Sequence, residues 1–98
     1  MNINIEKDNG KVLMALSGRL DTTTAPELEK AINDEGEALK SLVLDFGGVD
    51  YISSAGLRVL LTAQKKMNVQ GSMELANVSE AVMDIFEMTG FADILVIR

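Results

Sequence analysis

Two adjacent serines, Ser53 and Ser54, followed by Ala55, Gly56 and Arg58, stand between an apolar run and an amphipathic one. What else the chain carries limits the chemistry open to them. Its 98 residues include no His and no Cys. That removes imidazole acid–base catalysis, Ser–His and Cys–His nucleophilic pairs, disulfides and ordinary zinc ligation. No Asp-rich loop with calcium spacing occurs. "SSAG" is not the G-x-S-x-G nucleophile elbow, and "DFGGVDYISSAG" lacks the Gly-Lys-Ser/Thr of a phosphate-binding P-loop. We therefore expect no catalytic residue, no metal and no cofactor.

A hydroxyl at such a junction has two remaining uses. One is structural, because serine is a favoured helix N-cap, and Gly56 would then serve only tight packing of helix on sheet. The other is to carry a phosphate ester, which the free N–H groups and dipole of a helix start can hold without unfolding anything. A helix needs one cap, yet two hydroxyls are present. Arg58, four residues after Ser54, lies on the same helical face and is placed to offset an added negative charge.

The elements that must position this junction follow from periodicity. "INIEK" and "KVLMALS" alternate as strands, and Asn9-Gly10 between them marks a tight β-hairpin turn. After Gly18, "RLDTTTAPELEKAIND" is expected to be helical. Thr24 and Glu27 have capping-box spacing, Pro26 falls in the first turn, and Leu28 and Ile32 form an apolar stripe. "SLVLDF" (41–46) has the continuous apolar character of a strand covered on both faces. A loop, "GGVDYISSAG", then leads to a helix whose Gly56, Val59, Leu60, Ala63 and Met67 share one face. "SMELAN" predicts another strand. Ser79 is the expected cap of a last helix running through Met88, with Val78 and Met83 as a hydrophobic staple and Gly90 as its stop. "DILVI" (93–97) is expected to close the chain as a strand. Strands alternating with helices imply right-handed crossovers and a mainly parallel inner sheet. The whole reads as one α/β domain over residues 1–98: a mixed central sheet, an N-terminal β-hairpin followed by mainly parallel strands, with flanking helices.

Composition bounds the partners. The formal net charge is −6, which argues against nucleic acid, since that affinity comes largely from neutralising phosphates. Residues 21–50 hold eight acids and two bases, whereas residues 54–68 hold Arg58, Lys65 and Lys66 and no acid. No apolar run approaches the roughly 20 residues of a membrane helix, and the N-terminus lacks a secretory h-region. A cytoplasmic protein that does not engage membranes is expected, and the charge suits a monomer.

Three segments in order carry a family resemblance: "SGRLDTTTAPELE", "LVLDFGGVDYISSAGLRVLL" and "VSEAVMDIFEMTGF". Together they resemble the STAS domain, specifically the small bacterial anti-sigma factor antagonists, over essentially the whole chain. The resemblance implies a four- to five-stranded sheet flanked by helices, with a phosphorylatable serine at the start of the second helix. The family motif reads Asp-Ser-Ser/Thr-Gly-Leu. Aligned on Gly56-Leu57, it places Ser53 on the Asp, Ser54 on the first hydroxyl and Ala55 on the second. Ser54 is therefore the implied phosphorylation site, with Ser53 as the alternative.

The partner-binding surface implied in the same way comprises Asp21, Thr22, Thr23, Asp50, Ser53, Ser54, Ala55, Gly56 and Arg58. For Asp21, Thr22 and Thr23 a plain helix-start cluster is the competing explanation. The implied partners are an anti-sigma factor that is also a serine kinase, and a metal-dependent serine phosphatase. Unphosphorylated, such a protein binds the anti-sigma factor and frees the sigma factor; phosphorylation reverses this, affecting transcription. Two other functions fit the same fold. One is a constitutive signalling adaptor whose serines only cap, and the other a small-ligand module using the junction pocket and Arg58.

Overall fold

A computed structural model describes all residues from Met1 to Arg98. The chain opens with two antiparallel strands, β1 (Asn2–Asp8) and β2 (Lys11–Leu20). Asn9 and Gly10 join them, with φ of 49° and 83°. Left-handed backbone at both central residues is what a type I′ hairpin requires, and Asn-Gly tolerates it best.

Helix α1 (Ala25–Asp34) returns the chain to β3 (Ser41–Ile52), and α2 (Ser54–Gln70) returns it again to β4 (Ser72–Ala76). Last come α3 (Glu80–Thr89) and a single 3₁₀ turn over Phe91–Asp93. The sheet order is β1-β2-β3-β4, with β2, β3 and β4 parallel. This is the expected mixed α/β sheet, a hairpin followed by parallel strands.

Alternation within the strands decides where the core lies. Val12, Met14 and Leu16 of β2, Leu42, Leu44 and Phe46 of β3, and Met73 and Leu75 of β4 are buried on one face. The buried side chains of α1 (Ala25, Leu28, Ile32), α2 (Leu57, Val59, Leu60, Ala63, Met67) and α3 (Val82, Phe86) join them in one cluster. Phe86 meets Phe46 with ring centroids 6.3 Å apart and planes at 60°, a favourable tilted arrangement. The opposite face, with Leu13, Ala15, Val43 and Asp45, is only half-buried. "SLVLDF" is thus covered on one face, not two. Its apolar run reflects a strand at the centre of the sheet rather than a second helical layer.

Three further expectations are corrected. Arg19 and Leu20 are strand, not helix, because they pair with Tyr51 and Ile52 of β3. "GGVDYI" is likewise strand, not loop. The ten residues of β2 oppose twelve of β3, and two register shifts absorb the difference, the second leaving Asp50 as the extra residue between Val49 and Tyr51. "DILVI" contributes only a single bridge, Leu75 to Ile97. The 3₁₀ turn consumes Asp93, and Ile94 remains in the helical region at φ −94°, so too little extended chain is left for a ladder.

Candidate functional site

The ends of β2 and β3 lie side by side, as the pairing of Leu20 with Ile52 requires. The Ser53 N–H then donates to the Leu20 carbonyl at 2.9 Å. This bond ties the start of α2 to the loop entering α1. Two segments far apart in sequence form one surface, past the carboxyl ends of parallel strands where α/β proteins commonly place their sites.

The loop after β2 is organised by Asp21. Its Oδ1 accepts from the backbone N–H groups of Thr23 and Thr24, at 3.0 and 3.1 Å. Its own N–H donates to Thr24 Oγ1 at 2.9 Å, and its carbonyl accepts from Ala25 N–H at 2.8 Å. Thr24 Oγ1 in turn donates to the Arg19 carbonyl at 2.6 Å. The expected capping box between Thr24 and Glu27 therefore does not form: Thr24 is the N-cap residue but makes no side-chain cap bond. The Thr24 hydroxyl is taken by the Asp21 N–H and the Arg19 carbonyl, the Thr24 N–H that Glu27 would have bound goes to Asp21 Oδ1, and the Glu27 N–H donates to the Thr24 carbonyl. The Thr24 N–H bond above all, with further help from Thr23 N–H, the Thr24 hydroxyl and the Arg19 charge, holds the Asp21 carboxyl below the usual carboxylate range. The turn leaves Thr22 and Thr23 exposed at its tip.

Across from this loop, Ser53 is the N-cap of α2. Its backbone is extended (φ −100°, ψ 176°) and its hydroxyl oxygen accepts from Gly56 N–H at 3.5 Å. Ser54 is the first helical residue and is exposed. The hydroxyls of the two serines thus differ in kind: one is engaged in the helix cap and half-buried, the other is free. Ala55 is half-buried beside them. Gly56 lies against the sheet, where a Cβ would come within 2.8 Å of both Ile52 Cγ1 and Leu20 Cγ. Only glycine lets α2 approach the end of β2 so closely.

Thr22, Ala25, Pro26 and Glu29 from the first segment and Ala55, Arg58 and Val59 from the second line one open cleft of about 230 Å³. The structure thus brings Thr22, Ala55 and Arg58 together; Ser54 does not line the cleft but precedes Ala55 in the first turn of α2. Asp50 is exposed on the bulge three residues before Ser53 and makes no hydrogen bond or ion pair with the cleft residues.

Sequence reasoning missed Glu29, which stands one turn beyond Pro26 on α1. It also missed Arg19 and Tyr51, whose cross-strand pairing stacks the guanidinium 4.0 Å over the ring. Arg19 also lies 3.8 Å from Asp21 Oδ2. The signal available for that pair was alternation: each precedes a buried residue, Leu20 or Ile52. No group of three acidic side chains is placed to hold a metal ion. No helix is long and apolar enough to cross a membrane. The largest depression, about 460 Å³, lies elsewhere, beside Lys7, Lys11 and Arg98.

A hairpin-led parallel sheet with a serine-capped helix at the end of its longest strand defines the architecture of a small α/β domain. The chain belongs to the STAS domain family, whose model matches residues 2–98. It is 38% identical to BtrV of Bordetella bronchiseptica over 98 residues, covering 96% of this chain and 83% of that one. It is 32% identical to the anti-sigma-B factor antagonist of Listeria monocytogenes, covering 100% of this chain and 90% of the relative. The Bacillus cell fate determinant SpoIIAA, in its phosphorylated form, has the same fold. Its TM-score is 0.77 at 19% identity, covering 99% of this chain and 91% of SpoIIAA. The anti-sigma factor antagonists among these relatives are regulatory binding proteins, not enzymes.

Proposed function

We propose that this protein is an anti-sigma factor antagonist regulated by phosphorylation of Ser54. Unmodified, it binds an anti-sigma factor that is also a serine kinase, and so frees the sigma factor. Transfer of the γ-phosphoryl group of ATP to Ser54 Oγ, with ADP leaving and the hydroxyl proton lost, ends that interaction. A metal-dependent serine phosphatase restores the unmodified state. The chain is a substrate and regulator in this cycle.

The observation that carries the reading is the division of labour between the serines. Ser53 supplies the cap, so Ser54 is exposed on the first helical residue with its hydroxyl unbonded. A kinase can reach it, and modification removes no bond of the fold. Phosphate adds about −1.5 to −2 charge at the surface. Opposed to carboxylates on a partner, or desolvated against it, that charge costs several kcal/mol, and each ~1.4 kcal/mol is about tenfold in affinity. The contact surface on this reading is Thr22, Thr23 and the Asp21 turn on one side and Ser54, Ala55 and Arg58 on the other, with Ser53 and Gly56 shaping it and Asp50 at its margin.

The test is phosphopeptide mapping of the protein purified from its native cells, across growth conditions. Trypsin separates the threonine turn (Leu20 to Lys30) from both serines (Ser41 to Arg58). Phosphate on Ser54 is the expected result. A Ser41–Arg58 peptide that stays unmodified in every condition would overturn the proposal.

A further inference from the structure

The cleft between α1 and α2 contains one acid, Glu29, and one base, Arg58. Neither belongs to any of the chain's five ion pairs. Both are exposed, and the same cleft is lined by Ala25, Pro26, Ala55 and Val59. Lys66 lines a smaller adjoining cleft that shares Glu29 and Val59 with this one. Arg58 is therefore the cleft's only positive charge, and it stands one helical turn after Ser54.

We infer that Arg58 is the shared ligand through which the two states exclude one another. The inference rests on the reading that Ser54 carries the phosphate. In the unmodified protein the cleft offers an unpaired base, an unpaired acid and an apolar lining. That suits a partner segment with an apolar side chain, a carboxylate, which meets Arg58, and a basic group, which meets Glu29. A phosphate at Ser54 is on the same helical face as Arg58, at i and i+4, and forms a charge-assisted hydrogen bond to its guanidinium. The cleft's one cation is then occupied from within, and what faces the partner is a carboxylate and a phosphate. The partner's acidic group loses its counter-charge and meets like charge instead. Modification thus acts by withdrawing a ligand as well as by adding bulk and charge, and nothing in the backbone has to move.

The capture is measurable on the protein alone. With phosphoserine incorporated at position 54 by codon suppression, phosphorus NMR follows the second ionisation of the phosphate against pH. The charged groups on the elements that meet at this end of the sheet are Arg58 on its own helix, Glu29 on α1 and, on the turn and bulge beside them, Arg19, Asp21 and Asp50. The midpoint is expected to lie about half a unit lower with Arg58 present than in Arg58→Ala, because the guanidinium favours the dianion. Arg58→Lys should keep most of that difference, and Glu29→Gln should lower the midpoint further. Salt at about 0.5 M should shrink all of these shifts. A midpoint unchanged across the Arg58 variants, each shown folded by its amide spectrum, would overturn the capture. That outcome is distinct from failure of the proposed function, in which no phosphate appears on Ser54 in cells and this titration is unaffected.

Discussion

The backbone N–H of Ser53 donates to the carbonyl of Leu20 at 2.9 Å, so the first residue beyond β3 is fixed to the last residue of β2. The pairing continues the ladder by one bond past Leu20 and Ile52. It sets where α2 begins and therefore which of two adjacent serines caps it. Had the register slipped by one residue, every side chain of β3 would have changed face, and Ile52 would have left the core.

That assignment gives a first prediction. Ser53→Ala should destabilise the domain by about 0.5–1 kcal/mol, the lower part of the range for cap removal because the cap bond is long at 3.5 Å. Ser54→Ala should stay within about 0.5 kcal/mol of the parent, as an exposed residue without bonds does. Urea denaturation of both variants decides the matter. A larger loss at Ser54 would mean that the cap sits one residue later.

Gly56→Ala tests the close approach of α2 to the sheet. The added methyl would lie 2.8 Å from Ile52 Cγ1 and Leu20 Cγ and 3.0 Å from the Leu20 carbonyl oxygen. The two side chains can give slightly, but the carbonyl also receives the Ser53 N–H and is held. Overpacking of this kind costs about 1–3 kcal/mol. A lowered unfolding midpoint is expected. Alanine's better helix propensity, about 1 kcal/mol, offsets only part of the loss.

Asp21 gives the acid limb of stability a specific origin. Its carboxylate is held below the usual range, first by Thr24 N–H, then by Thr23 N–H, the Thr24 hydroxyl and Arg19. A depressed folded-state pKa contributes stability that is fully present above the unfolded value of about 3.9 and is lost as pH falls through the lower folded value. Stability should therefore fall below about pH 4, and Asp21→Asn should flatten that fall while lowering stability at neutral pH. Carbon-13 NMR of the Asp21 carboxyl, titrated from pH 6 downward, checks the cause. A midpoint at or above the ordinary aspartate value would remove it.

The elements legible in the sequence are those decided locally. Asn9-Gly10 can make its turn, Ser79 can cap α3 through Val82 N–H, and Gly90 can end it in left-handed backbone (φ 82°), each with little reference to the rest of the chain. Ser54 and Arg58 belong to one helix, and their spacing placed them together. What was not legible depends on partners distant in sequence. The strand character of "GGVDYI" exists because β2 runs beside it and two bulges absorb its extra residues. Thr24 is the N-cap residue, but its hydroxyl is engaged by the Asp21 N–H and the Arg19 carbonyl, and its N–H by the Asp21 carboxylate, so neither half of a capping box with Glu27 forms. Glu29 became a cleft residue only when α1 packed against α2. The last strand failed because a 3₁₀ turn after Gly90 left it too short, a competition that apolar pattern alone does not reveal.

Arg19 and Tyr51 provide a prediction outside the cleft. The guanidinium lies 4.0 Å from the ring centroid on exposed surface, where a cation–π contact is worth about 0.5–1 kcal/mol. A double-mutant cycle with Arg19→Ala and Tyr51→Ala should return a coupling of that size. Arg19 also lies 3.8 Å from Asp21 Oδ2, and the cycle should be run at high salt as well. The Arg19–Asp21 term is common to both arms of the cycle and cancels, so a coupling near zero at either salt concentration would mean that the ring contact contributes nothing.

Ser54→Asp separates the fold from its regulation. A negative charge on the first residue of a helix interacts favourably with the helix dipole and the free N–H groups there, by about 0.3–1 kcal/mol at low salt. Arg58, one turn further on, adds to the same effect. Ser54→Asp should therefore raise the urea midpoint slightly, whereas Ser54→Lys should lower it, and both differences should diminish as salt rises. The carboxylate carries less charge than a phosphate, so the stabilisation sets a lower bound on what phosphorylation does at the same position. If Ser54→Asp were instead destabilising, a phosphate at this position would strain the helix start, and release of a partner could no longer be separated from loss of the surface it binds. A stable Ser54→Asp protein, with the amide spectrum of the parent outside the start of α2, is the expected result. It is also the physical condition for a modification that alters the surface and leaves the domain standing.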